Sequence, residues 1–455
     1  MASRITLALA ALLFLCAPSL AQDLPIDQQL PPRAAPTSKV EIGGLLPVLN
    51  EKPDFDAAKA SQIYVTRLEG SAREKSDAYY EGGYGLKVID LLYGLVVAGL
   101  LLFFQISARI RDWAQDRTHS RSYQTMLYAV ITITTVTIAT LPLTLYETYF
   151  REHAYGLSNL TLLQWAGDFA TSFAVTLVTG VIVLPIFYAV IRATRESWWL
   201  WTAGLTILCL VLALVITPIA ISPLFNHSSP LPAGPLKERI LSLARANDIP
   251  ADNVWVVDES RQSNRISANV SGFLGTTRIS LNDNLLKQGT PDEVLAVVGH
   301  EMGHYVMDHA TRQLLMFGLV IILGFGFVGW CFLRATDLFG GNWQVRYPDD
   351  IAGLPLMMAL LSIFLFFATP VTNAIIRSAE AQADIFGVNA VRKPDAFASV
   401  VLKMSNYRKL DPSHLEEVLF YDHPSGRNRI RAMMDWKKEH VSDIDIRETV
   451  SSNPR

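Results

Sequence analysis

Residues 198–221 read WWLWTAGLTILCLVLALVITPIAI, a run of 24 residues without a charged side chain. A helix needs about 20 apolar residues to cross the hydrocarbon core of a bilayer, so this stretch predicts a membrane-spanning helix. Other long stretches share this apolar character, and they cover residues 88–106, 126–145, 173–191, 314–333 and 354–371. The sequence therefore predicts a mostly α, multi-pass membrane protein.

The composition of the whole chain agrees with this prediction. Of its 455 residues 50% are hydrophobic and only 18% are charged, which is untypical of soluble domains and excludes general disorder. The net charge of −3 creates no field that attracts nucleic acid, so the bilayer is an expected partner and nucleic acid is not. Cys16, Cys209 and Cys331 all lie in apolar runs, so we expect neither disulfides nor a cysteine metal site.

The N-terminus has the pattern of an export signal. Arg4 precedes an apolar stretch, and the small residues Ser19 and Ala21 follow it, which is typical of a cleavable signal peptide. The alternative is a retained first membrane helix. A Pro-rich linker and a charged helical arm come next, up to residue 87.

The motif His300-Glu301-Met302-Gly303-His304 indicates a metal site. Pro291 and the acidic residues after it predict a helix start, and positions i and i+4 of a helix share a face, so both imidazoles can bind one Zn²⁺. Glu301 is expected to take a proton from zinc-activated water. The alternative is a polar helix face with two unrelated histidines.

A catalytic zinc also needs a third protein ligand. Glu380 and Asp384 are again four residues apart on a predicted helix, just past the last apolar segment. Glu380 can complete a His₂Glu site, and Asp384 can orient a ligand histidine. A solvated helix face explains this pair equally well from spacing alone.

Further candidates lie near the C-terminus and between two predicted strands. His423, followed by Pro424, is expected to stabilise an oxyanion, and Arg429 to contact substrate, although a helix-start histidine without a catalytic role is an equal alternative. Residues 253–258 and 277–281 have strand character. The segment between them is either a sheet edge to which an extended substrate adds or a plain surface hairpin.

Together these motifs resemble the integral-membrane zinc endopeptidases of the type I CAAX prenyl protease family. The resemblance extends from about residue 73 to residue 432. Besides the zinc motif, its marks are LPLTLY at 141–146, ISPLF at 221–225, PLP at 230–232, the 380–384 block and His423-Pro424.

The resemblance implies membrane helices that enclose a chamber, beside a zincin-like α+β catalytic domain that binds one zinc per chain. It implies His300, His304 and Glu380 as zinc ligands and Glu301 as base. It also implies a second-shell role for Asp384 and a transition-state or substrate contact for His423. The family's substrate strand carries an Asn-Ala pair where this chain has Ser267, Ala268 and Asn269, which are the corresponding substrate-binding candidates.

Two observations disagree about which side of the membrane the active site faces. The loop after the first apolar segment contains arginines at positions 109, 111, 117 and 121. The loop after the third apolar segment contains arginines at positions 192 and 195. By the positive-inside rule these loops are cytoplasmic, which puts the active site on the exported, periplasmic face of a cell inner membrane. Eukaryotic members of the family face the cytosol, so the resemblance favours the other side.

The sequence thus predicts a membrane-embedded zinc metalloendopeptidase that cleaves membrane-associated or CAAX-like, C-terminally modified proteins, which include lipidated ones. Alternatives are an HtpX-like quality-control protease, which has fewer membrane spans, and a non-catalytic chamber that binds lipid or peptide. The expected division is 1–21 signal peptide or first helix, 22–87 linker and arm, 88–221 four membrane helices, 222–312 catalytic domain with the zinc motif, 313–373 two membrane helices, and 374–455 C-terminal catalytic part with the third ligand.

Overall fold

The computed structural model describes residues 55–271 and 277–451. The predicted export signal and the Pro-rich linker lie outside the described residues. Within the described part, long helices dominate, and one small sheet is present.

Long apolar helices form the membrane part. In chain order the first helices are α1 Ala57–Val65, α2 Ser71–Phe103, α3 Ile106–Arg117, α4 Arg121–Leu145, α5 Arg151–Ala154, α6 Leu162–Thr194 and α7 Trp198–Ile216. The membrane part is completed later in the chain by α11 His309–Trp343 and α12 Leu354–Val391. All six predicted apolar segments are helical.

Helix α6 ends where the backbone leaves the right-handed region. Arg195 has φ 46°, which stops α6 and turns the chain back so that α7 packs against α6. Five helical runs in the described part are long and apolar enough to cross a membrane. One of them, Leu162–Leu224, has 63 residues, about three bilayer thicknesses at 1.5 Å per residue; because the turn at Arg195 divides it, it holds two of the six predicted segments.

The membrane helices leave much of their apolar surface exposed. In the Leu162–Leu224 run only 11% of the apolar window is buried, and even in His309–Trp343 the share is 44%. Exposed apolar surface on helices of this length is what a bilayer covers. The predicted fold class, multi-pass helices around a chamber with a small α+β part, is confirmed.

The catalytic part consists of a small sheet and short helices. Its elements are β1 Ser228–Pro230, α8 Pro235–Ala246, β2 Val254–Val257, β3 Ala268–Ser271, β4 Arg278–Asn282, α9 Asp283–Gln288, α10 Pro291–Val306, α13 Pro394–Met404, α14 His414–Phe420 and α15 Gly426–Ser451. The strand order is β1-β2-β4-β3, with β2 and β4 parallel and the other pairs antiparallel. Both strands that the sequence predicted are present, and β3 forms an edge of the described sheet.

Three of the predicted boundaries fall inside helices. The charged arm and the first apolar segment were separated at residue 87, but α2 runs through this position without a break. The boundaries at 312 and 373 likewise fall within α11 and α12. A helix continues wherever its backbone hydrogen bonds do, so a change from apolar to charged side chains does not mark a break in the backbone.

Glycine and alanine residues at the contact allow α10 and α12 to approach each other closely. A Cβ added at Gly387 of α12 would lie 2.8 Å from the backbone nitrogen of His300, and one added at Gly303 of α10 would lie 3.0 Å from the Cα of Ala383. A Cβ added at Gly299 would likewise lie 3.3 Å from the carbonyl oxygen of Gly387. Small residues at a crossing let two helix backbones approach closely.

The membrane helices have two distinct ends. At one end, Arg261 of the catalytic part binds Asp168, 3.2 Å away. At the other end, Arg111 forms a buried ion pair with Asp350 at 2.7 Å, and the side-chain nitrogen of Gln105 donates to the carbonyl of Asn342. The arginine-rich loops therefore lie on the side opposite the catalytic part.

We predict that Gly387→Ala weakens both the fold and metal retention. The added methyl group overlaps the backbone of α10, which should reduce the free energy of unfolding by about 1–3 kcal/mol and lower the zinc content per chain. The matched control is Gly204→Ala in α7, where a Cβ meets no atom within 4 Å. Thermal unfolding in detergent and metal analysis of both variants check this, and equal behaviour of the two would contradict it.

Candidate metal centre and active site

The zinc-motif helix α10 starts with a capping box. The Thr290 side chain accepts a hydrogen bond from the Glu293 amide, and the Glu293 carboxylate accepts one from the Thr290 amide at 2.6 Å. Pro291 occupies the first turn, as the sequence predicted. This fixed start sets the rotation of the helix, so that His300 and His304 project from one face, with their Nε2 atoms 3.2 Å apart.

Glu380 of α12 meets both histidines. Its Oε2 lies 3.1 Å from the Nε2 of His300, and its Oε1 lies 3.4 Å from the Nε2 of His304. The ligand atoms of the three side chains all lie within 4.8 Å of one another. The three predicted ligands therefore converge, and they could hold one metal ion.

Two further observations fit a metal at this position. His300 and His304 each engage Nδ1 in a contact behind the cluster, which leaves both Nε2 atoms on the side of Glu380, where they could bind one metal ion. The buried Oε2 of Glu380 has no properly aligned hydrogen-bond partner in the described part of the chain. Two imidazoles and one carboxylate with a position left open are the donor set of catalytic zinc.

Asp384 lies directly behind His300. Its Oδ1 is 2.7 Å from the Nδ1 of His300, and it accepts two hydrogen bonds from Arg429, at 2.7 and 2.6 Å. Asp384 is 3% exposed and Arg429 is 7% exposed. A carboxylate at this position fixes the tautomer and orientation of a ligand histidine. In the structure the Arg429 guanidinium is bound to Asp384. The contact with substrate that the sequence predicted for Arg429 stays a prediction.

His304 is oriented by residues that the sequence did not assign to the site. Its Nδ1 lies 2.9 Å from the Nδ1 of His309, whose Nε2 lies 3.3 Å from the amide oxygen of Gln382. Asp308 has φ 50°, so it ends the α10 direction and turns His309 back toward the cluster. If the helix continued past residue 306, His309 would lie on another face, and Asp308, a residue type that tolerates the left-handed region, is the local signal for the turn.

Glu301 is half-buried beside the three convergent side chains. In the described part of the chain it has no hydrogen-bond or ion-pair partner, so its carboxylate is free to act on a molecule in the cleft. Burial raises its pKa, while nearby His300 and His304, when charged, lower it. A base with a raised pKa holds a proton more readily at neutral pH.

His423 lies on the opposite side of Glu380. Its Nε2 is 3.1 Å from the Oε2 of Glu380, and its Nδ1 is 2.8 Å from the carboxylate of Asp422. Burial, followed by the positive charge of Arg408, lowers the pKa of His423. The structure thus brings this predicted residue into the cluster, in the loop just before α15.

The predicted substrate segment lies partly on the edge strand β3. Ala268 and Asn269 belong to β3, which packs against α10, and Asn269 is exposed. The Ser267 hydroxyl donates to Glu259 at 3.0 Å. One side of β3 is free of strand partners within the described residues, so an extended peptide can add there beside the zinc motif.

The fold and this site define a membrane-embedded metallopeptidase. The sequence profile of Peptidase family M48 matches residues 230–437, and the profile "CAAX prenyl protease N-terminal, five membrane helices" matches residues 64–227. The chain belongs to Peptidase family M48. It is a zinc metallopeptidase and a multi-pass membrane protein that acts on peptide or protein substrates.

Similar proteins come from bacteria and eukaryotes. An uncharacterized metalloprotease of Bacillus subtilis, YhfN, is 31% identical over 73% of this chain and 78% of its own length. The CAAX prenyl protease 1 homolog of Arabidopsis thaliana is also 31% identical, over 65% of this chain and 70% of its own. The crystal structure of S. mikatae Ste24p shares the fold, with a TM-score of 0.69 and 22% identity over 83% of this chain and 94% of that one.

We predict that Asp384→Asn weakens zinc binding about 10- to 100-fold. The neutral amide no longer holds His300 in one tautomer, and Arg429 loses its buried counter-ion. Competition with a chelator measures the affinity. The matched control is Asp435→Asn, which breaks the exposed ion pair with Arg431. Parent-like zinc affinity in the Asp384 variant would rule out the orienting role.

Proposed function

We propose that this protein hydrolyses peptide bonds at a zinc ion held by His300, His304 and Glu380. The convergence of these three side chains from two helices, although Glu380 follows the histidines by 76 and 80 residues, is the observation that carries the proposal. A structural zinc normally has four protein ligands, whereas a catalytic one keeps a position for water. The described residues offer three, which favours the catalytic function over a non-catalytic binding chamber.

The bound zinc would acidify water and polarise the substrate carbonyl. Glu301 accepts the proton as the water attacks the carbonyl, and then donates it to the amine that leaves. In its doubly protonated form, which the negative charge of the oxyanion favours, His423 donates from Nε2 to the oxyanion and from Nδ1 to Asp422. Asp384 and His309 keep the two ligand histidines in position from behind.

The substrate is held as an extended strand. Its backbone pairs with the free edge of β3, near Ala268 and Asn269, so that the scissile carbonyl lies over Glu301. Main-chain pairing recognises no particular sequence, and therefore specificity must come from the cleft around the cluster and from the membrane chamber.

The substrates we propose are membrane-associated proteins with C-terminal, CAAX-like sequences, including lipidated ones. Support comes from the relatives named CAAX prenyl protease 1, one of which, from Homo sapiens, matches 86% of this chain. The five-helix profile over residues 64–227 also favours this type over an HtpX-like protease with fewer spans. We propose no nucleic-acid partner, since a chain of net charge −3 does not attract phosphates.

We also propose that the active site faces the exported side of the cell inner membrane. The loops on the side opposite the catalytic part carry Arg109, Arg117, Arg121 and Arg195, besides the ion-paired Arg111. Short loops rich in arginine remain in the cytoplasm. The catalytic part then lies on the exported side.

Glu301→Gln is expected to bind zinc like the parent and to lose peptide cleavage by at least about 100-fold, since general-base contributions reach about 10²–10⁴. The substitution keeps the size of the side chain and removes only its basicity. Glu238→Gln, at an exposed position of α8, is the control. Cleavage is measured on membrane-associated peptides by mass spectrometry, together with zinc content. Parent-like cleavage by the Glu301 variant would refute the mechanism.

A reporter fused after Arg455 tests the proposed orientation. A reporter that is active only on the exported side should give signal, because α15, the last described helix, belongs to the catalytic part. A second fusion, made in the loop near Arg117, should give the opposite result. If the C-terminal fusion is active in the cytoplasm, the loop charges do not determine the orientation.

A further inference from the structure

A small cleft opens beside His423. Its cavity volume is about 20 Å³, room for roughly one or two water-sized groups, such as the oxygens of a carboxylate. The side chains that matter for recognition are Tyr80, Arg408, Lys409, Tyr421, Asp422 and His423. Because His423 lies 3.1 Å from Glu380, the cleft adjoins the cluster where hydrolysis is proposed to occur.

Arg408 is the unusual member of this cleft. It is half-buried, yet within the described residues it has no hydrogen bond and no carboxylate within 4.0 Å. Its charge nevertheless reaches His423 and Asp422. A partly desolvated guanidinium without a partner is costly unless a ligand supplies one, and its planar set of five N–H donors matches a carboxylate.

The neighbouring charges are already engaged. Lys409 binds Glu81 at 2.6 Å and Glu416 at 2.8 Å. Asp422 accepts from His423, and Arg429, also at the cleft wall, is held by Asp384. Arg408 is therefore the cation of this cleft that remains available for a ligand, among the residues that the structure describes.

We propose that Arg408 binds a carboxylate of the peptide substrate, close to the scissile bond. The inference rests on the proposed function, because it concerns the substrate of the same site. The carboxylate comes either from the free C-terminus of the substrate or from an aspartate or glutamate side chain. Tyr80 and Tyr421, whose rings lie 4.7 Å apart, form an aromatic wall of the same cleft.

The test uses the full-length protein in detergent and four versions of one peptide that the parent cleaves. Two versions differ only in a C-terminal acid or amide, and two carry the amide and an internal aspartate or asparagine. We expect the parent to cleave one of the anionic versions with a kcat/KM about 10- to 100-fold above its neutral partner, the range for a hydrogen bond to a charged group. A difference in kcat/KM between the C-terminal acid and amide identifies the free C-terminus as the source of the carboxylate. A difference between the aspartate and asparagine peptides identifies a side chain.

Arg408→Met should abolish this preference, mainly through KM, and Arg408→Lys should retain part of it. Arg245→Met, at an exposed position of α8, is the control and should keep the parental ratios. Zinc content and unfolding temperature confirm that each variant is folded. The ratios measured on the parent test the proposal even if Arg408→Met fails to fold.

The outcomes separate the two proposals. A parent that cleaves all four peptides equally overturns the role of Arg408 and leaves the proposed hydrolysis intact, and so does an Arg408→Met variant with parental ratios. A zinc-loaded parent that cleaves no peptide at all, in detergent or in vesicles, removes the proposed function and this inference with it.

Discussion

The close crossing of α10 and α12 is the constraint on which the site depends. Gly299 and Gly303 bracket His300, and they face Gly387 and Ala383 across the contact. Without a side chain between them, the two backbones approach to van der Waals distance, and Glu380 then reaches the histidines. A larger residue at this contact would separate the carboxylate from the imidazoles, because packed helices adjust little to added volume.

The crossing also explains why the cluster suits a cation. Asp384 and His309 contact the Nδ1 atoms of His300 and His304, whose Nε2 atoms lie 3.2 Å apart. Glu380 lies 3.1 Å and 3.4 Å from these Nε2 atoms. Two imidazoles and one carboxylate gathered in this way are the donor set of a catalytic zinc ion.

Membrane and catalytic parts are connected by continuous helices rather than by a linker. Helix α12 carries the last apolar segment and, a few residues later, Glu380. Helix α2 similarly begins beside the catalytic part, where Ser76 donates to the carbonyl of Ser405, and continues into the membrane segment. The position of the cleft relative to the bilayer is thereby fixed by the helices themselves, which suits substrates that are held at a membrane.

The sequence by itself determined the membrane class, the zinc-motif helix, the position of Glu380 and Asp384 on one helix face, and both predicted strands. These features depend on local periodicity and capping, which neighbouring residues in the chain decide. Only the tertiary structure decided that Arg429 contacts Asp384, that His309 orients His304, and that Arg408 is left without a partner. Contacts between residues far apart in the chain follow from helix crossings and from turns such as the one at Asp308, and no local pattern in the sequence encodes them.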